Sequence, residues 1–147
     1  MGSTRPSDVR ALILREHAAI AVSLADLAAA VNPPAQVSTT HTMHLCRKLY
    51  KQLSGHLDLE DEVLVPVLRD SDAWGDVRAD TLLRHHQAQR QELKFLAGTD
   101  APEAPELADR LTQLIDELRK DMAHEERHLL SADLLRDDVL AINLEDG

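Results

Sequence analysis

The sequence predicts an all-α fold, an up-down-up-down four-helix bundle followed by a short C-terminal tail. Three observations carry that prediction. The composition favours Ala, Leu, Glu, Asp and Arg, with 5 glycines and only 1 Trp, 1 Tyr and 1 Phe, a mixture rich in helix formers and poor in sheet formers. Four stretches repeat apolar residues every three to four positions, the spacing of one helix face. Short runs of turn residues separate the stretches, and short loops join antiparallel neighbours. At 147 residues the chain reads as a single domain, 1–147, with the bundle at about 7–136 and the tail at 137–147.

The first helix is expected to start from a Ser7 cap and run to about Ala30, with Val9, Ile13, Ile20, Leu24 and Leu27 on its apolar face, until Asn32-Pro33-Pro34 ends it. The second starts near Ser38 and reaches about Arg69, carrying Leu45, Leu49, Leu53, Val63, Leu64 and Val67. Pro66 removes one backbone donor, so a kink or early end is expected in its last turn. Residues 70–76 form a turn in which Asp76 caps the third helix, to about Ala97, and Trp74 plugs the bundle end. Gly98 to Pro105 stops helix three and starts helix four, with Pro105 suited to a first helical position. Helix four reads Leu107, Leu111, Leu114, Ile115, Leu118, Met122 and Leu129, and its signal weakens after Arg136. The tail holds Val139, Leu140, Ile142 and Leu144, a pattern fit to dock on the bundle or on a partner.

Twenty-six acidic against sixteen basic residues give a formal charge of −10, which repels a phosphate backbone or an anionic membrane surface. Nucleic-acid and membrane partners are therefore not expected. The lone Cys46 has no internal partner and reads as a small buried hydrophobe. MGSTRPSDVR lacks an apolar leader core, and no run of apolar residues is long enough to span a bilayer, so a cytoplasmic location is expected. The long second helix suits a monomer or a homodimer.

Helical phase singles out the polar residues that face the core, since each residue advances about 100°. His56 and Glu60 sit in the middle of the helix-two stripe, and His86 lies near the centre of the arc of Leu82, Leu83 and Leu93, with His85 off it by roughly 90°. His17 can reach inward beside Ile13, Ile20 and Leu24. On helix four Glu125 is nearly centred, Asp121 and His128 flank the stripe by roughly 60° to 80°, and His124 stands about 120° off. Counted from the Trp74 end, His17, His56, Glu60, His86 and Glu125 all fall roughly 13 to 20 Å in, at 1.5 Å per residue. His41 and His44 lie about 18 Å or more higher and cannot join them. Tyr50 points away from the core direction and reads as a boundary aromatic.

Taken singly, a core His is more often hydrogen-bonded than metal-bound, and a helical Glu is usually solvated. Convergence changes the weighing, because buried polar groups without partners cost several kcal/mol. His17, His56, Glu60, His86, Asp121 and Glu125 are the candidate metal ligands, with His128, His124 and His85 as additional or alternative ones. Glu16, Asp61, Glu62 and Glu126 read as solvated groups or as hydrogen-bond partners behind the ligands. Mixed imidazole and carboxylate donors suit iron, manganese or zinc rather than copper(I) or calcium. Bundles that gather such donors typically hold two iron or manganese ions, and Glu60 and Glu125 are placed to bridge them.

Arg15-Glu16-His17, the run His56-Leu57-Asp58-Leu59-Glu60-Asp61-Glu62-Val63-Leu64-Val65-Pro66, and Glu125-Glu126 with Leu129-Leu130 together resemble the hemerythrin-like, HHE cation-binding family over nearly the whole chain. The resemblance implies a four-helix bundle with a bridged non-heme di-iron site that meets dioxygen or related small ligands. Two departures stand out. Oxygen-carrying members have a second His four residues from the first on helix three, where this chain has Arg90 and Leu82. The first helix-four ligand is usually His, where this chain has Asp121 in the register that uses Glu125; the alternative register pairs His124 with His128. Carboxylates in place of imidazoles favour the ferric state. Such a site suits handling of peroxide, dioxygen or nitric oxide, weak peroxide or oxygen reduction, or sensing and storage of iron or oxygen, more than reversible oxygen carriage. The competing readings are a sensor or interaction module signalling through the tail, and a metal-free helical adaptor built round a polar core.

Overall fold

The computed structural model describes residues 5–33, 38–98 and 104–137 of the chain. It is an all-α four-helix bundle. The elements are α1 (Pro6–Ala30), α2 (Thr39–Leu59), a π-helical turn (Glu60–Leu64), α3 (Val65–Arg69), α4 (Gly75–Ala97) and α5 (Ala104–His128). α2, the π turn and α3 make one continuous rod, so the bundle has the four long members expected.

The stripe on α1 behaves as its spacing requires: Val9, Ile13, Ile20, Leu24 and Leu27 are all buried. Ser7 does not cap this helix. Pro6 already occupies the first helical turn, and Asp137 takes the capping role from across the molecule, accepting from Ser7 N at 3.0 Å and from Ser7 Oγ at 2.7 Å. At the start of α2 the Ser38 hydroxyl does accept from His41 N.

The second rod is not a simple kinked helix. Val65 N–H reaches back to Glu60 O, five residues away, so one extra residue is wound into the turn. Pro66 suits this widening: it has no N–H for the Glu62 carbonyl, and its ring would crowd that carbonyl in a regular helix. The buried stripe consequently slips by one position, from Glu60 to Leu64 and Leu68 with Val65 beside them, while Val63 and Val67 are only half-buried.

At the α3–α4 turn Trp74 does not plug the bundle; it is 66% exposed. A Cβ on Gly75 would run into the Leu68 and Arg69 carbonyls, so the turn closes tightly at a residue without a side chain. Asp76 is not the cap of α4 but lies in its first turn, paired with Arg69, which also holds Asp80. Asp72 fixes the turn, accepting from Trp74 N and from Arg78.

Helix α5 ends at His128 rather than near Arg136; residues 129–137 fold into turns that bury Leu130 and Leu135, and Arg10 donates to the Leu130 carbonyl at 2.6 Å. The expectations about residues 138–147 lie outside the described residues.

Two apolar clusters fill the interior. One joins Ile20, Leu24, Leu27, Leu49, Leu53, Leu93, Leu111 and Leu118 with their neighbours, Cys46 among them; the other joins Val9, Ile13, Leu64, Leu68, Ala79, Leu82, Leu130 and Leu135 at the Trp74 end. Between them runs a layer of buried polar side chains.

Candidate metal centre

That polar layer holds His17 from α1, His56 from α2, Glu60 from the π turn and His86 from α4, each at most 5% exposed, with Glu125 from α5 facing them. Helical spacing puts His56 and Glu60 on successive turns of one face, one rise of about 6 Å apart. The ligating atoms of His17, His56, Glu60 and Glu125 all lie within 4.8 Å of one another. His86 adjoins this group, its Nε2 standing 3.3 Å from Glu60 Oε1.

Two kinds of bond organise the layer. Facing outward, His56 Nδ1 meets Glu16 Oε1 at 2.8 Å and His86 Nδ1 meets Asp61 Oδ1. Facing inward, His56 Nε2 is 3.1 Å and His86 Nε2 3.3 Å from Glu60 Oε1, and His17 Nε2 is 3.0 Å from Glu125 Oε1. Several of these inward atoms are orphans: His17 Nε2, His86 Nε2, Glu60 Oε2 and Glu125 Oε1 are buried without a hydrogen-bond partner. Close approach without hydrogen-bond geometry, in a layer enclosed by apolar clusters, is costly for the protein alone. A cation satisfies it, because lone pairs that find no proton donor are the groups that bind metal. The outward bonds also match the way proteins orient metal-binding imidazoles, one ring nitrogen held by a carboxylate and the other free.

The electrostatics point the same way. Burial, reinforced by His56, lowers the His17 pKa to about 4, so its ring is neutral at ordinary pH. Burial also works against protonation of His56, but hydrogen bonds and charge from Glu60 and Glu16 outweigh it and raise its pKa. For Glu60, burial is overcome by Glu125, His56 and His86, which hold its carboxyl below the usual range. Burial and the facing Glu60 charge push Glu125 well up. The two carboxylates therefore behave as a pair holding one proton, in the place where a cation would neutralise both.

A small cavity of about 30 Å³ opens beside these atoms and is walled by Ile20, Leu53, Leu57, Leu93, Leu118 and Met122 together with Gln89 and Asp121. A wider groove of about 240 Å³ between α4 and α5 shares Gln89, Asp121 and Glu125 with it. Gln89 Nε2 donates to Asp121 Oδ2 at 3.2 Å, so this pair lies between groove and cavity.

Of the residues singled out by sequence, the structure gathers His17, His56, Glu60 and Glu125, with His86 alongside. Asp121 stands apart from them, exposed and bonded to Gln89. His85 is exposed in the groove, and His124 and His128 are exposed on α5 with their rings 4.4 Å apart. Helical phase missed Gln89 and Arg90. Arg90 was conspicuous only as the residue four after His86; of its partners, Asp58 lies at the end of α2 and Asp61 in the π turn that regular phasing does not anticipate.

A protein named DNA nickase from Nostoc sp. is 33% identical to this chain over 85 residues. The matched stretch is 58% of this chain and 23% of that protein, so the chain spans less than a quarter of its relative's length. No solved structure matches the chain. The family described as Hemerythrin HHE cation binding domain matches residues 8–132, a span that contains every member of the polar layer. Four helices with imidazoles and carboxylates turned toward one another inside that span leave a single assignment: the chain belongs to the hemerythrin HHE cation-binding domain family.

Proposed function

We propose that this protein binds iron, as two ions that Glu60 and Glu125 would help to hold, and uses it to handle dioxygen, peroxide or nitric oxide. His17, His56 and His86 would supply the imidazole donors. The observation that carries this reading is the set of buried inward atoms without partners, which a cation satisfies and a polar network of the chain's own groups does not. Bound iron supplies a redox-active Lewis acid that polarises a small oxygen species.

The rest is done by the chain's own side chains. Glu16 and Asp61 hold His56 and His86 with their Nε2 atoms inward. Glu125, whose carboxyl burial and the facing Glu60 push toward its protonated form, would release a proton on holding a cation. Leu53, Leu57, Leu93 and Leu118 keep the cavity dry and limit its occupant to a few atoms. Small ligands arrive through the α4–α5 groove, past Gln89 and Asp121.

The name of the Nostoc relative adds nothing to this reading, since the match covers a minor part of that protein and a formal charge of −10 repels DNA. The test is metal analysis with an optical spectrum on protein from iron-supplemented cells, before and after azide or hydrogen peroxide. Two irons per chain, with bands that move on addition, are expected. His56→Ala and Glu60→Ala should each lower iron content at least tenfold. Iron-free protein after iron-replete expression, with unchanged stability in both variants, would leave an ordinary polar core.

A further inference from the structure

Behind the inward ring nitrogens lies an asymmetry that the function proposed above leaves unused. His56 and His86 are held alike, each by a carboxylate on Nδ1. The carboxylates are not alike. Asp61 divides its oxygens, taking His86 on Oδ1 and Arg90 on Oδ2 at 2.7 Å, while the same Arg90 nitrogen reaches Asp58 at 2.9 Å. Among the described residues no Lys or Arg pairs with Glu16 within ion-pair distance. Asp61 and Arg90 are each about one-third exposed, so the chain Arg90–Asp61–His86 runs from the surface to a ring that is 1% exposed.

The π turn makes this chain possible. In it Glu60 faces the centre while the next residue, Asp61, reaches the far nitrogen of a ring that Glu60 also approaches. Both bonds to His86 thus come from adjacent residues of one rod.

We infer that Asp61 and Arg90 are positioning residues for His86. Asp61 fixes the ring with its proton on Nδ1 and Nε2 turned inward. Arg90 holds the other Asp61 oxygen, which both orients that carboxylate and limits the negative charge it lends the ring. The His86 side of the centre is therefore a weaker electron donor than the His56 side, where Glu16 is uncompensated. The electronic part of this inference rests on the metal reading above; the orientation of His86 does not.

Two kinds of measurement test it, one on the metal-free protein and one on the iron-loaded protein. Nitrogen-15 spectra of the metal-free protein report which His86 nitrogen carries the proton. The Nδ1–H form is expected in the wild type and in Arg90→Ala. In Asp61→Asn the amide can donate to a bare Nδ1, and the Nε2–H form should gain. In protein loaded with iron(II), Asp61→Asn should lose metal to a chelator about 10–100-fold faster. Arg90→Ala should move the midpoint potential negative, Arg90→Lys should return it, and Arg90→Ala should have no such effect once Asp61 is Asn. Asp58→Asn, which touches Arg90 but not His86, should change neither readout. An unaltered His86 tautomer in Asp61→Asn would overturn the positioning role, and an equal potential shift in both Asp61 backgrounds would overturn the role of Arg90 through Asp61. If the wild type takes up no iron, the metal reading fails while the tautomer result still decides what Asp61 does to His86.

Discussion

Burial and the facing charges of the polar layer set how its individual residues respond to acid. His17 has a folded pKa near 4 against 6.5 unfolded, so between those values only the unfolded chain takes up a proton there and stability falls as pH drops. The full difference is roughly 3 kcal/mol. Glu125 acts in the opposite sense: its folded pKa is raised by burial and Glu60, so the folded chain holds a proton that the unfolded one releases above the ordinary carboxylate range, and stability rises as pH drops. In the wild type the two trends offset each other through the mildly acidic range. His56, with a raised pKa, acts above 6.5: its contribution is present below that pH and is lost as pH rises through the folded value. Glu125→Gln removes one of the offsetting trends and should make the metal-free protein acid-labile, losing up to about 3 kcal/mol between pH 6.5 and 4 in denaturant titrations. Parallel pH profiles for variant and wild type would refute the assignment. At this scale the sequence was informative where one helix face decided the matter, as for His17, His56, Glu60, His86 and Glu125. It was silent where a side chain's partner came from another helix, as with Gln89 on Asp121 or Arg90 on Asp61, because phase locates a direction and not a neighbour.

Among the elements, the π turn is the one least foreshadowed by the residues. Pro66 announced an irregularity, but a kink, an early end and an inserted residue all follow from a missing N–H. What selects the insertion is burial on both sides of it: Glu60 must face the centre, and Leu64 and Leu68, both fully buried, must face the apolar cluster at the Trp74 end. A regular helix would turn the two leucines away by about 100°. Burying each is worth about 1.5–3 kcal/mol, more than the about 1 kcal/mol a restored backbone hydrogen bond returns. Pro66→Ala should therefore keep the π turn, with iron content unchanged and stability altered by no more than about 1 kcal/mol. Loss of iron in that variant would mean that proline, not packing, holds the register. Helices α4 and α5 set the other boundary of the centre, and the Gln89–Asp121 bond lies across the groove between them that we propose as the way in. Gln89→Ala should speed azide binding, read by stopped-flow absorbance, several-fold while leaving iron content intact. An unchanged rate would place the path elsewhere.

Across the whole molecule, the polar layer divides what would otherwise be one core into two. The apolar cluster around Leu24, Leu49 and Leu111 and the one around Ile13, Leu64 and Leu82 are each well packed, but the layer between them joins α1, the α2 rod, α4 and α5 through groups that repel, share one proton or lack partners. The fold class was legible in the sequence because each apolar face is long and periodic. The division was legible only as a coincidence of height among five polar residues. A cation held as proposed, with His86 among its donors, would turn this weak layer into a connection between all four long helices. Because the unfolded chain holds no such arrangement, binding adds directly to stability: about 2.7 kcal/mol when free metal is a hundred times the dissociation constant. For a chain of this size that corresponds to a rise in Tm of roughly 5–10 °C. Iron(II) added anaerobically to metal-free protein should produce that rise, and it should slow hydrogen exchange most in α5 near Glu125 and in the π turn, where the layer is crossed, rather than uniformly. Protection confined to one helix would show the metal held by a local pair of residues, and the bundle's cooperativity would then owe nothing to it.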